Sequence, residues 1–223
     1  MVMIKRMISG LGKLFQNFLL MILRLIFRAF VIAGVLGVIA AGFFTVKGYQ
    51  MYQGAIREQG LEERIEEVES DEDYVALYDI SEEFRSQLVE SEDRRFYDHC
   101  GIDIGSITRA VIADVKAGAF VQGGSTITQQ LAKNLYFSSE KKIERKIAEL
   151  FVVYRLEKEY SKDKILELYS NIIYFGESCY GVQEAASNYY NVDAGSLNKE
   201  QAAGLVFTIK CPNVYNPHVY AKE

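Results

Sequence analysis

Tryptophan is absent, and the sequence holds only two prolines, Pro212 and Pro217, both near its end. Nothing before Pro212 therefore breaks a helix through a missing backbone donor. Two histidines, His99 and His218, are too few for a histidine-based metal site. The three cysteines, Cys100, Cys179 and Cys211, are widely spaced and odd in number, which excludes both a metal motif and a complete disulfide framework. They read as packing residues, although one pair could oxidise outside a cell. No internal repeat and no low-complexity block is present. The G-x-x-x-x-G-K-S/T order of a nucleotide-binding loop is also missing, so neither nucleoside triphosphates nor nucleic acid are expected as partners.

What is abundant is apolar and helical. The net charge of -5 conceals an asymmetry: residues 1–28 carry Lys5, Arg6, Lys13, Arg24 and Arg28 with no acid. Residues 29–46, "AFVIAGVLGVIAAGFFTV", are 18 residues without a charge, near the roughly 20 that cross a bilayer. Basic residues precede this span and only Lys47 follows closely. The positive-inside rule then leaves the N-terminus in the cytoplasm and the larger part of the chain outside. No clear small-x-small cleavage site follows the span, which favours a retained single-pass anchor over a cleaved signal peptide. The basic flank disfavours a buried core helix.

Beyond the span, residues 47–78 hold nine acids between Glu58 and Asp73 against Arg57 and Arg64, the composition of a solvated helical stalk or linker. "YVALYDI", Tyr74 to Ile80, has the β-branched and aromatic content of a short strand. The remainder reads as mainly helical.

Ser81 followed by Glu82 and Glu83 is a helix start. Phe84, Leu88, Glu92 and Phe96 then recur every four residues, which sets Glu92 on the apolar stripe. A partly desolvated carboxylate suits general acid or base chemistry, while an ion pair with Arg94 or Arg95 is an equally good structural reading. Further on, "GGSTITQQLAKNLYF" opens with two glycines that permit close backbone approach. Thr126 and Gln129 have the spacing of a capping box. Ile127, Leu131 and Leu135 form the buried line of the helix that follows, leaving Gln129, Gln130, Lys133 and Asn134 as a polar face fit for sugar hydroxyls and an anion. A generic capped surface helix is the competing reading.

In "KKIERKIAELFVVYRLEKEY", Ile143, Ile147, Leu150, Phe151 and Tyr154 are expected to form the core stripe of a helix beginning near Ser139. Lys141, Lys142, Arg145 and Lys146 crowd its first turns, where the helix dipole disfavours positive charge. A bound phosphate or pyrophosphate would offset that cost. A solvated basic face, or one resting on anionic lipid, would do the same.

These segments together resemble one family. "ESEDRRFYDHCGID" is similar to its E-D-x-x-F-x-x-H-x-G-x-D motif and "GGSTITQQLAKN" to its G-x-S-T-x-T-Q-Q motif. "RKIAE" and "YSKDKILELYSNIIYFG" resemble its third and fourth motifs. The family is the peptidoglycan glycosyltransferases, glycosyltransferase family 51, which occur as monofunctional enzymes and as the first domain of bifunctional penicillin-binding proteins. The resemblance runs from about Asp79 to Pro217, so residues 79–223 are expected to form the domain. Ser170 stands where the family usually has leucine, and Tyr190 where it has phenylalanine. Homologous domains normally continue past the "YNP" of Tyr215 to Pro217, whereas this sequence ends at Glu223.

The resemblance implies a mainly α, lysozyme-like domain with a small jaw lobe at the membrane, preceded by one transmembrane helix in a bacterial cell membrane. It implies polymerisation of lipid II onto a nascent glycan strand with inversion and release of undecaprenyl pyrophosphate. Glu92 would be the general base and Glu149 would help stabilise the leaving group. Lys133, Arg145 and Lys146 match donor phosphate positions, and Lys141 matches more loosely. Arg109, Ser125, Gln129 and Gln130 match positions that contact the glycolipid or the inhibitor moenomycin. No dedicated protein metal site is expected. Magnesium or manganese is the only cofactor the chemistry invites, shared between an acid and the pyrophosphate. Other cell-wall synthesis proteins are conceivable partners. A catalytically impaired scaffold that binds lipid-linked precursor and a lysozyme-like glycan hydrolase are the alternative functions; the phosphate cluster speaks against the hydrolase, and intact Glu92 and Glu149 against the scaffold.

Overall fold

The computed structural model describes residues 2–119, 123–138, 140 and 142–220, with side chains from residue 16 to residue 219. Its contacts divide the chain into two units, residues 1–47 and 48–223.

The first unit is helical throughout its described length and belongs to α1 (Val2–Glu58). From Gln16 onward this helix is long and apolar enough to cross a membrane, and Phe30, Val38 and their apolar neighbours are exposed. No proline interrupts the helix, and it runs on through Gly34, Gly37 and Gly42 despite their low helix propensity.

The second unit begins with the last turns of α1 and continues through α2 (Leu61–Glu69), α3 (Glu82–Glu92), α4 (Ile104–Ala117), α5 (Ile127–Tyr136), α6 (Ile143–Glu159) and α7 (Lys162–Ile172). A hairpin of β1 (Tyr174–Gly176) and β2 (Cys179–Tyr180), then α8 (Val182–Tyr190), α9 (Lys199–Thr208) and α10 (Pro217–Tyr220) complete it. The hairpin is antiparallel, with Tyr174 opposite Tyr180 and Gly176 opposite Cys179. α5 lies at the centre, packed on both α6 and α7, while α3 packs on α9. Phe84, Leu88, Phe96, Leu131, Tyr169 and Phe175 are fully buried in the core that these helices share.

Several expectations change here. The acidic segment is not wholly a solvated stalk, because Leu61 and Ile65 of α2 are buried in the core and α2 packs on α7. Its acids occupy the outer face, so charge density concealed an amphipathic helix. The strand expected over Tyr74 to Ile80 is extended chain ending in a 3-10 turn at Leu77–Asp79. Among the described residues no neighbouring strand meets it; instead Asn171 accepts from the Val75 amide at 2.9 Å and Glu167 from the Leu77 amide at 2.7 Å. In α6 the fully buried residues are Ala148, Glu149, Val152, Val153 and Leu156, whereas Ile143 and Tyr154 are exposed. The expected stripe faces a different neighbour: Phe151 stacks on Tyr52 and meets Tyr49 edge-on, and Ile147 lies against Gly48. The helix also starts at Ile143 rather than near Ser139. All three cysteines are free thiols, and only Cys179 is a buried packing residue.

Candidate active site

Glu92 owes its place to the register of α3. Ser81 accepts the Phe84 amide at 3.1 Å, and the helix runs from that cap with Phe84 and Leu88 turned into the core. One turn later the helix ends at Glu92, half-buried. Neither arginine beside it forms the ion pair that the sequence left open. Arg94 pairs with Glu90 at 2.6 Å and Arg95 with Asp103. Glu92 instead accepts, on Oε2, a hydrogen bond of 2.9 Å from the Gln130 amide of α5. The other end of that amide, Oε1, accepts from the Tyr169 hydroxyl of α7 at 2.7 Å.

The next residue fixes the wall of the site. Asp93 is buried, and its carboxylate accepts from the Ile127 amide at 3.1 Å, the first helical amide of α5. It also meets His99 Nε2 at 3.0 Å. His99 Nδ1 accepts the Gly101 amide at 3.1 Å, so the ring proton sits on Nε2 and points at Asp93. Gly101 has a φ of 79°, and a Cβ there would strike Val153, which requires glycine on both grounds. Its carbonyl in turn accepts the Thr126 hydroxyl at 2.7 Å. The first two motifs are thereby stitched together by hydrogen bonds.

The expected capping box forms: Thr126 accepts from the Gln129 amide, and Gln129 Oε1 accepts from the Thr126 amide, both at 3.1 Å. Ile127, Leu131 and Leu135 are buried as expected. Gln129, placed by sequence on the polar face, is itself buried and its amide is engaged at the helix start. Gln130, Lys133 and Asn134 remain outward.

Two cavities flank these groups. One of about 260 Å³ is lined by Glu92, Arg94, Ser106, Arg109, Gly124 and Ser125, which brings three expected positions together. A larger one of about 570 Å³ is lined by Lys133, Asn134, Asn171, Tyr174, Tyr180 and Asp71 among others. Between them stands the basic group. Lys146 donates to Ser125 Oγ at 3.3 Å and lies 3.0 Å from Glu149 Oε2. Arg145 meets Glu149 Oε1 as an ion pair without a well-aligned hydrogen bond. Glu149 is almost fully buried, so its charge balances two cations where water screens little. Burial, with Arg145 and Lys133 close by, pushes the Lys146 ammonium down to about 8, an effect that the Glu149 carboxylate opposes. Burial and then Arg145 also lower Lys133. Three neighbouring cations with one carboxylate among them form a site that an anion completes. Lys141 lies outside the described residues.

Among the described residues, the acids that could meet a metal ion already face other groups. Glu149 commits both oxygens to Arg145 and Lys146. Asp93, His99 and Asp103 bring ligand atoms within 4.8 Å of one another. Their groups already have partners, since Asp103 caps α4 by accepting from the Ser106 amide at 3.0 Å and carries the Arg95 guanidinium. Sequence reasoning passed over Asp93, His99 and Tyr169 as site residues. The first two stand inside the quoted E-D-x-x-F-x-x-H pattern, but Tyr169 carries no local sign of its reach to α5.

Comparison with known proteins shows the family of this chain. A family model described as transglycosylase matches residues 59–223, so it also takes in the packed helix α2. Penicillin-binding protein 1A of Neisseria lactamica is 44% identical over 147 residues, covering 66% of this chain and 18% of that protein. Penicillin-binding protein 1F of Bacillus subtilis (strain 168) is 44% identical over 143 residues, covering 64% and 20%. The chain thus spans about a fifth of the length of these relatives. With the four motifs, the mainly helical domain and the match over most of its length, the chain belongs to the transglycosylase family, the peptidoglycan glycosyltransferase type of domain.

Proposed function

We propose that this domain polymerises lipid II into glycan strands, with inversion at the donor sugar. The observation that carries the reading is a half-buried carboxylate, with one oxygen that has no partner among the described residues, on a cavity whose Ser125 accepts from Lys146, a member of the cation group gathered with Arg145 around Glu149 and with Lys133 close by. Glu92 takes the proton from the 4-hydroxyl of the acceptor sugar as that oxygen bonds to the anomeric carbon of the donor. The bond from that carbon to the phosphate oxygen breaks, and undecaprenyl pyrophosphate leaves with the electron pair. The three cations meet the charge that grows on the pyrophosphate, where preorganised positive groups lower the barrier most. Glu149 keeps Arg145 and Lys146 in place. A magnesium or manganese ion, if the reaction uses one, would arrive with the pyrophosphate, because both Glu149 oxygens already face cations.

A lipid-linked substrate accounts for other features. α4 buries only Ala110 among its described residues and exposes Ile104, Val111, Ile112 and Val115, an apolar face suited to the outer leaflet. The N-terminal helix then anchors the chain with its basic end in the cytoplasm. The nascent strand is the acceptor partner, and other cell-wall synthesis proteins are potential neighbours. Purified protein in detergent with lipid II, beside Glu92→Gln, tests the reading on a glycan gel. Polymer from the parent and none from the variant is expected; a folded parent that makes no polymer would refute it.

A further inference from the structure

We infer that Tyr169 is a positioning residue for the Glu92 base, acting through the amide of Gln130, and that the network leaves Glu92 Oε1 as the atom that receives the proton. The inference rests on the proposed transferase reaction. Its logic is one of donors and acceptors. An ionised carboxylate only accepts, so the Gln130 group facing Glu92 Oε2 at 2.9 Å is the NH2. Gln130 Oε1 is then directed at Tyr169, 2.7 Å away, and the phenol must donate to it. Tyr169 is fully buried among apolar residues, and burial, with Glu92 and Asp93 nearby, holds its hydroxyl protonated. The ionised carboxylate at one end and the protonated phenol at the other therefore agree on one direction for every hydrogen bond in the row. Rotating the Gln130 amide by half a turn would set a carbonyl oxygen against the carboxylate and an NH2 against a hydroxyl that has lost its acceptor.

With Oε2 held, Oε1 has no partner among the described residues and borders the cavity of about 260 Å³. The other charged groups around Glu92 are accounted for. Asp93 is spent on Ile127 and His99, Glu90 pairs with Arg94, and Lys146 is turned to Ser125 and Glu149. Arg109, across the cavity, donates to Ser106 at 2.9 Å. Among the described residues, the Gln130 amide is the group that donates to Glu92, and Tyr169 is the group that donates to that amide.

The test is a pH profile of polymerisation for Tyr169→Phe beside the parent, with thermal melting as a check on folding. Loss of the phenol frees the amide to rotate and weakens its hold on the carboxylate. The expected result is a kcat about tenfold lower, a KM for lipid II within about twofold, and an acidic limb moved upward by about half a unit, a shift of about 0.7 kcal/mol. In a Gln130→Met background the same substitution should leave the acidic limb where Gln130→Met alone puts it, because the effect runs through that amide. If Tyr169→Phe does not fold, Gln130→Met carries the test with the phenol in place, and its acidic limb must move upward. Superimposable profiles, or additive shifts in the double variant, overturn the inference. These outcomes require an active parent and an inactive Glu92→Gln; a parent without activity would instead overturn the proposed function.

Discussion

Glu149→Gln is the sharpest probe of the basic cluster, because it removes one charge and almost no volume. Glu149 is 1% exposed, Arg145 is 15% and Lys146 is 44%. Deleting one member of a buried ion pair typically costs about 3–5 kcal/mol, because the remaining charge stays desolvated. Here Lys146 retains access to water, and the Arg145 contact is poorly aligned, so we place the cost at about 2–3 kcal/mol. For a domain of this size about 2–4 °C of melting temperature accompanies each kcal/mol, giving a fall of about 5–10 °C in a calorimetric scan. Removing a cation as well should recover part of it: Glu149→Gln with Lys146→Met is expected to melt above Glu149→Gln alone. Inorganic pyrophosphate should raise the melting temperature of Glu149→Gln more than that of the parent, since an anion replaces the missing charge. A variant that melts within a degree of the parent would refute the claim that Glu149 balances the cluster.

Other consequences concern pH and the membrane. Lys146 loses its proton above about 8, so KM for lipid II should rise between pH 8 and 9.5 in the parent and stay flat in Lys146→Arg. Because its folded value lies below the ordinary lysine value, the unfolded chain holds that proton longer. Its contribution to stability therefore improves from pH 8 towards 10.5, which a melting series would register. Burial would raise the Asp103 carboxyl, but the hydrogen bonds from Ser106 and the Arg95 guanidinium hold it well below the ordinary range. That stability is complete above about pH 4 and lost on acidification. Asp103→Asn should melt lower at pH 7, and the two curves should converge towards pH 2. Val115→Glu is expected to weaken binding of the domain to phospholipid vesicles several-fold in a flotation assay without altering its melt.

The site was partly legible because helical spacing reports burial. The four-residue recurrence of Phe84, Leu88 and Glu92 marked a carboxylate at the rim of the core, and the Thr126 and Gln129 spacing marked the start of α5. The same method failed in α6, where two apolar stripes compete and only packing decides which one faces the core: Val152 and Leu156 face it, while Ile147 and Phe151 meet the end of α1. It also failed in α2, where the nine acids of residues 58–73 obscured two buried anchors, Leu61 and Ile65. Tyr169 illustrates a further limit. Its hydroxyl reaches Gln130 across 39 positions in sequence, and no local pattern encodes a contact of that span.

The wall behind Glu92 is braced by polar contacts: Asp93 to Ile127 and His99, Gly101 to His99, and Thr126 to Gly101. On the proposed reading the substrate comes from lipid, where acyl chains compete for every exposed apolar contact. Hydrogen bonds enclosed in the fold give such chains nothing to replace. Detergent is expected to coat the α4 face while leaving the spacing between Glu92 and α5 unchanged, so that one cleft geometry serves in micelle and bilayer alike.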